Sequence, residues 1–415
     1  MEISMTDALL SGGMNVLAGV GGGGVPLLPG GPGGGMGGAG GAPVVPPVYG
    51  LAVAGSGRIG GAWRSLIGGL NPVTGNFDLI YDGADITLRN VSSVDFAVPP
   101  STFPTWWRAN SGTPPGPVNT VDGAPSPVAF AQLPVVGSAQ VVAALTNRNL
   151  HYWKQVGVDH WWFLTGAGTQ PFGSMTLQNG FVTLPFLGAA VQPDANIIKG
   201  SYVTPPNKNL IAYTDGGFWS SVDDGATWVN GSPMGWGGGV GASNVNFAWD
   251  SVWTEVWGMV TDASGNPNQE DIVLSMDEGI TWNGTGLLAA FLAASFLGTT
   301  NINCMAFVNV GGVAHLFFGG TNPANQACIV DLDVFGGIPA NELWNSGASL
   351  GAINDICLDA AGRIYAVAEY ALPAVSSEII YSDDNGLNWN SLATDLFPTA
   401  VSQKARGMSM TGVVR

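Results

Sequence analysis

The sequence predicts an all-β fold built from repeated sheets, on three observations. After Tyr49 the chain consists of short apolar or alternating runs separated by Gly, Asn, Asp and Pro, which is typical of antiparallel strands. Long helical periodicity is missing, and 287–298 is the one stretch that favours a short helix. One eight-residue motif also recurs in the second half of the chain, and such recurrence indicates a repeat architecture.

The recurring motif has the pattern S-x-D-x-G-x-[TN]-W. It occurs at 221–228, 275–282 and 382–389, so the copies begin 54 (275 − 221) and 107 (382 − 275) residues apart. The second spacing is almost twice the first. A further copy is therefore expected near residue 328, where the chain reads Cys-Ile-Val-Asp-Leu-Asp and later keeps Leu343-Trp344.

Each residue type in the motif has a mechanical reason to be there. An Asp side chain can accept hydrogen bonds from the backbone of the turn that follows it, and Gly supplies the positive φ that such a turn needs. Ser or Thr adds a local hydrogen bond, and Trp buries a large apolar surface. We therefore predict a structural hairpin at these residues: Ser221, Asp223, Gly225, Thr227 and Trp228; Ser275, Asp277, Gly279, Thr281 and Trp282; Ser382, Asp384, Gly386 and Trp389.

The motif resembles the Asp-box of bacterial neuraminidase repeat propellers, a family of sialidases, plant-polysaccharide hydrolases, sorting receptors and non-enzymatic binding proteins. The resemblance covers residues 195–415. It implies that each box joins the third and fourth strands of a blade, away from the ligand-binding face, and that its aspartate is structural. Stepping back by the same interval to Trp63 predicts a single β-propeller of about seven four-stranded blades, with six or eight as alternatives.

Composition divides the chain into two predicted domains. Residues 1–47 form a Gly/Pro-rich arm, and residues 8–57 contain no Asp, Glu, Lys or Arg. Residues 48–415 form the propeller, with degenerate blades in 48–194 and clear Asp-box blades in 195–415. Residues 407–414 are predicted to be a closing strand that pairs with the first blade. Ordering a Gly-rich segment costs much entropy, so such a segment becomes ordered only when it packs against a partner. The arm is therefore predicted to dock on another subunit of a multi-protein assembly.

Charge and cysteine content exclude several function classes. The net charge is −17 with 12 Lys and Arg, and these are not clustered in the sequence, which argues against nucleic-acid binding. The three cysteines are widely spaced, predicting buried thiols with neither disulfide nor metal site. No cofactor is expected. The N-terminus lacks the basic region of a secretory signal, and no apolar run is long enough to span a membrane, which predicts synthesis in the cytoplasm.

No set of residues singles out catalytic chemistry. The sialidase-like branch uses three arginines, and Arg58-Ile59 resembles part of its Arg-Ile-Pro signature, but Gly60 replaces the proline. A two-carboxylate hydrolase has only scattered acids as candidates, and their spacing selects no pair: Asp78, Asp82, Asp85, Asp250 and Glu255. No catalytic residue is therefore assigned.

Aromatic residues are the remaining candidates for contact with a ligand or protein. The densest clusters are Trp106, Trp107, Trp161 and Trp162. Trp249, Trp253 and Trp257 share parity, so an extended strand would place them on one face.

Taken together, these features predict a non-enzymatic structural or adhesion protein of a virus-like assembly, such as a bacteriophage tail, fibre or capsid-attached protein. It would be located in the virion, anchored by its arm, and would present a propeller face to host glycan or to neighbouring subunits. The alternatives are a glycoside hydrolase, either sialidase-like or using two carboxylates, and a cellular assembly-factor propeller.

Overall fold

The described part of the chain is all-β, as the short apolar runs predict. A computed structural model describes residues 51–82, 90–96, 106–111, 119–121, 131–132, 150–155, 158–164, 172–178, 181–183, 198–204, 209–214, 216–223, 227–233, 242–262, 271–288, 295–296, 301–334, 341–359, 361–372 and 375–410. Between residues 80 and 199 the description covers the backbone alone. The predicted arm, 1–47, lies outside the described residues.

The strands form six antiparallel sheets. Sheet I contains β1 (Leu51–Ile59), β2 (Ala62–Leu70), β3 (Phe77–Asp82) and β27 (Gln403–Met410). Sheet II contains β4 (Asn90–Phe96), β5 (Trp106–Ser111), β6 (Asn119–Val121) and β7 (Ala131–Gln132). Sheet III contains β8 (Leu150–Gln155), β9 (Val158–Leu164), β10 (Phe172–Gln178) and β11 (Phe181–Thr183).

The second half of the chain supplies the other three sheets. Sheet IV contains β12 (Ile198–Val203), β13 (Leu210–Thr214), β14 (Gly217–Ser221) and β15 (Val229–Asn230). Sheet V contains β16 (Ala242–Asp250), β17 (Glu255–Asp262), β18 (Asp271–Ser275) and β19 (Asn283–Gly284). Sheet VI contains β20 (Ile302–Val310), β21 (Val313–Thr321), β22 (Gln326–Asp333), β23 (Asn341–Leu358), β24 (Ile364–Leu372), β25 (Ser376–Ser382) and β26 (Asn390–Ala393).

Sheets II to VI are meanders, in which each strand pairs with the next along the chain. The first strand of each meander contacts the first strand of the following one: β4 with β8, β8 with β12, β12 with β16, and β16 with β20. We call these the inner strands. In sheet I the inner strand is β27, since it contacts both β4 and β23.

The last strand of the chain completes the first sheet. The sheet order is β27-β1-β2-β3, and the register runs from Leu51 opposite Met410 to Gly57 opposite Gln403. A C-terminal strand that pairs with the first blade was predicted, although it begins at Gln403 instead of 407. Successive meandering sheets contact one another through their inner strands, and the first and last described strands share one sheet. The described strands thus have the topology of a β-propeller.

The seven-stranded sheet owes its size to one long strand. β23 has 18 residues. Its first part pairs with β22, from Asn341 opposite Asp331 to Leu350 opposite Gln326. Its second part pairs with β24, from Leu350 opposite Leu372 to Leu358 opposite Ile364. The chain thus passes from one four-stranded meander to the next without a loop.

The core lies between neighbouring sheets. Trp282 of sheet V, for example, stacks on Phe218 of sheet IV with ring centroids 4.5 Å apart and also lies against Phe247. The three cysteines are buried in described strands and form no disulfide: Cys304, Cys328 and Cys357. Burial raises the pKa of the Cys328 thiol to about 12, so this thiol is unreactive at neutral pH.

Strand alternation gives each sheet two distinct ends. Counted from the inner strand, the first-to-second turn and the third-to-fourth turn lie at one end, which we call the box end; the other is the closure end. Contacts between sheets keep the box ends together. Glu278, in the third turn of sheet V, lies 3.5 Å from Thr204 and 3.5 Å from Asn209, which flank the first turn of sheet IV.

Two sequence interpretations of tryptophans were wrong. Trp63 was aligned with the box tryptophans, yet it is the second residue of β2 and lies at the closure end. The reason is that β27 fills the inner position and shifts β1 and β2 outward by one place. Trp249, Trp253 and Trp257 do not share one strand. Asp250 accepts hydrogen bonds from the backbone of Val252 and Trp253, which stabilises a turn between β16 and β17.

Candidate binding site

The second Asp-box forms a closed set of hydrogen bonds at the turn after β18. The carboxylate of Asp277 accepts bonds from the Ser275 hydroxyl at 2.8 Å, the Thr281 amide at 2.7 Å and the Thr281 hydroxyl at 2.6 Å. Gly279 adopts φ 91° and donates its amide to the Ser275 hydroxyl at 2.7 Å. The indole of Trp282 donates to the Gly279 carbonyl at 3.0 Å.

The third box repeats this geometry. Asp384 accepts from Ser382 at 2.8 Å and from the amide and side chain of Asn388 at 2.8 and 2.6 Å, and Trp389 donates to Gly386 at 2.9 Å. In the first box Asp223 accepts from Ser221 and Thr227 in the same way. Gly225 lies outside the described residues, so its role in the turn stays a prediction.

The hydrogen bonds lower the pKa of all three box aspartates. For Asp223 the largest cause is the Thr227 hydroxyl, and for Asp384 it is the Asn388 amide group. For Asp277 burial acts in the opposite direction, but the bonds from Thr281 and Ser275 together outweigh it. Because every bond stays within its turn, these carboxylates are used to hold hairpins together.

The boxes also join neighbouring sheets. The amide of Trp282 donates to the carbonyl of Gly231, just beyond β15, at 2.9 Å. A Cβ atom added at Gly279 would lie 2.4 Å from the Ile211 side chain of sheet IV, so this glycine is required for close packing as well as for its φ. The second box therefore links its own hairpin to the preceding sheet.

Two of the scattered acids are brought together at the first turn of sheet V. Asp250 and Glu255 are Cα partners at the end of the β16–β17 pair. Burial raises the pKa of Asp250, and burial followed by the charge of Asp250 raises that of Glu255. Asp78 instead accepts a bond from Asn71 at 2.8 Å. The side chains of Asp82 and Asp85 lie outside the described residues.

A second charged group lies at the closure end, between the second part of sheet VI and sheet I. The ammonium of Lys404 is 3.7 Å from a Glu369 oxygen, and Nε of Arg406 is 3.4 Å from the other. The amide of the buried Asn354 donates to Glu369 at 3.0 Å and to the carbonyl of Ala405 at 2.8 Å. Lys404 also lies 5.5 Å from the ring centre of Trp63, within the range of a cation–π contact.

This closure-end cluster (Trp63, Glu369, Lys404 and Arg406) is accessible to a ligand. The Trp63 residue is 49% exposed, and the side chains of Lys404 and Arg406 are 34% and 35% exposed, whereas that of Glu369 is 14% exposed. Sheet I also carries Arg58 and Arg64. Four of the chain's 12 Lys and Arg residues are thus in one sheet.

Exposed apolar side chains show the opposite distribution. Of the eleven large ones in the described chain, Trp63 and Val401 lie at the closure end. The other nine lie at the box end: Val73, Val222, Val229, Val252, Trp253, Met276, Ile280, Val313 and Leu387. The two ends therefore differ in how much exposed apolar surface they carry.

The closure-end cluster was not predicted from the sequence. Trp63 meets Lys404 through the pairing of β27 with β1, and Glu369 reaches Lys404 and Arg406 from β24, which contacts β27. The aromatic candidates Trp106, Trp107, Trp161 and Trp162 lie in described strands, but their side chains lie outside the described residues. Across the described ranges, no group of three His, Cys, Asp or Glu side chains is arranged to hold a metal ion. Those ranges also include no helix long and apolar enough to cross a membrane.

Comparison with known proteins adds a likeness of fold. No protein-family model matches the chain, and no curated protein matches it. A putative 6-phosphogluconolactonase from Bacteroides uniformis ATCC 8492 is 11% identical, with 86% of this chain and 99% of that chain covered and a TM-score of 0.47. A second, from Bacteroides fragilis NCTC 9343, is 10% identical over 86% and 98%, with a TM-score of 0.46. Trypanosoma rangeli sialidase is 12% identical over 73% and 57%, with a TM-score of 0.38. Such distant likenesses carry no argument about activity.

Proposed function

We propose that the chain is a non-enzymatic, seven-bladed propeller that binds a glycan at its closure end as an adhesion or structural protein of a virus-like assembly. The observation that carries the binding function is the closure-end cluster, where an exposed indole lies beside two partly exposed cations. Function is argued from this cluster because the propeller fold itself serves many activities.

Strand pairing supports the proposed number of seven blades. The five four-stranded sheets count as one blade each, and the seven-stranded sheet divides into two at β23. The residues before Leu350 then complete the sixth blade, and those after it form the inner strand of the seventh. This count agrees with the interval between the boxes.

The cluster is built to hold a ligand in place. Asn354 is buried and fixes Glu369, and Glu369 in turn faces both Lys404 and Arg406. Cations held in this way lose less side-chain entropy when a ligand binds. Glu369 is engaged by three neighbours, which favours a positioning role over proton transfer.

The proposed role in an assembly is supported by the low charge content of the chain and by the exposed apolar side chains of the box end. A chain with 10% charged residues, and with none of them between residues 8 and 57, is suited to contact with partner subunits. The nine exposed apolar side chains of the box end would face such a subunit. We propose that residues 1–47 anchor the chain in the particle and that the closure end points outward.

A glycoside hydrolase is the second candidate, and Asp250 with Glu255 is the observation that favours it. Paired acids with raised pKa values are the groups that glycoside hydrolysis uses. Asp250, however, is fully buried and its Oδ1 holds the turn, so it supports this candidate weakly.

The test combines purified particles with a glycan-cleavage screen. The proposal expects the protein at a fixed, symmetric copy number by mass spectrometry and no release of reducing sugar. Release that stops in the Glu255→Gln variant and persists in Glu369→Gln would replace the proposal with the hydrolase. Absence from particles would overturn the assembly role.

A further inference from the structure

We propose that the ligand of the closure-end cluster is an acidic sugar, whose anionic group binds between Lys404 and Arg406 while its ring packs on Trp63. This inference rests on the proposed binding function and specifies its ligand. It follows from the local charge, the geometry of the donors and the access to the indole.

The local charge has the opposite sign to that of the chain. The whole protein carries −17, which repels anions at long range. At the cluster one acid, Glu369, faces two cations, and Arg58 lies in the same sheet. An anion that reaches the cluster meets two cations and one acid, so the site selects for negative charge.

The donors have capacity for a second partner. An ammonium has three N–H groups and a guanidinium has five, and Glu369 contacts Arg406 through Nε. Both side chains are about one third exposed, so a carboxylate or sulfate group can approach them from solvent. Charge-assisted hydrogen bonds from such groups are about twice as strong as neutral ones.

Access to the indole is provided by the turn before it. Gly60 and Gly61 have φ 58° and 87°, and a Cβ added at Gly61 would meet nothing within 4 Å. The space beside Gly61, two residues before Trp63, is therefore open. A sugar ring offers an apolar C–H face to a Trp ring and hydroxyl groups to its surroundings, which suits an indole that is half exposed.

The experiment is a glycan array that contains uronate-, sulfate- and sialate-bearing glycans beside neutral ones. The tightest glycan is then titrated together with its carboxyl-reduced or desulfated form. Variants are Lys404→Gln and a matched control, Arg363→Gln, which removes a cation that pairs with Asp383 at the box end. Melting temperatures verify that both variants fold.

We expect binding to acidic glycans, a loss of about tenfold or more for the neutralised form and for Lys404→Gln, and little change for Arg363→Gln. Binding should weaken as salt is raised. Preference for neutral glycans, or equal effects of the two variants, would overturn the inference and leave the binding function intact. Capture of acidic peptides without any glycan would overturn the sugar class, and an array without any signal would overturn both proposals.

Discussion

Lys404 lies over the ring of Trp63, 5.5 Å from its centre, although one residue is close to the start of the described chain and the other close to its end. The contact exists because β27 takes the inner position of sheet I and brings Lys404 opposite Ser56. The step that closes the fold therefore also assembles the candidate site.

The Asp-box prediction concerns stability. Asp277→Ala should lower the free energy of unfolding by about 1–3 kcal/mol, because the Thr281 amide and the Ser275 and Thr281 hydroxyls lose their acceptor. Thermal melts measure the change. Asp383→Ala, which removes an exposed acid beside the third box, is the control and should cost less. Equal costs would argue against the hairpin role.

Acid should weaken the boxes. Their aspartates have pKa values lowered by folding, so their contribution is complete above the unfolded value of about 4 and is lost as pH falls through the folded values. Melting temperatures of the wild type should therefore fall more steeply below about pH 4 than those of the double variant Asp277→Asn/Asp384→Asn. Parallel curves would contradict the assignment.

Ionisation of Asp250 should have the opposite effect on stability. Burial raises its pKa, so its ionisation costs stability once pH passes the unfolded value. Asp250→Asn keeps an oxygen for the amides of Val252 and Trp253 and should raise the melting temperature at pH 7 by a few degrees, with no gain near about pH 3. Asp359→Asn, in the matching turn before β24, is the control. A higher melting temperature at both pH values would contradict this explanation.

The pairing of β27 with β1 in sheet I depends on a close approach of the two backbones at Gly55. A Cβ there would lie 2.2 Å from the carbonyl oxygen of Lys404. Gly55→Ala should cost on the order of 1–3 kcal/mol and weaken ligand binding as the cluster shifts. Ser56→Ala removes a buried hydroxyl without a hydrogen-bond partner in the described chain, and should be neutral or stabilising. Unchanged melting of Gly55→Ala would show that the sheet can open there at little cost.

The sequence predicted those parts of the fold that are local. The box residues lie within eight positions of one another, so their turn chemistry could be interpreted directly. Trp253 and Trp257 were misplaced because a parity argument holds only within one strand and fails across a turn. Asp250, whose side chain accepts hydrogen bonds from that turn, was considered only as a candidate catalytic acid. The closure-end cluster depends on pairing between the first and last described strands, and no local pattern indicates which residues a distant strand brings together.

The most direct test of the account compares two exposed tryptophans at opposite ends of the sheets. Trp63 is 49% exposed at the closure end and Trp253 is 58% exposed at the box end. Glycan binding of Trp63→Ala and Trp253→Ala should be measured side by side at equal thermal stability. Binding should be lost in Trp63→Ala and retained in Trp253→Ala. Retention in Trp63→Ala with loss in Trp253→Ala would place the ligand at the box end and contradict a binding site at the closure end.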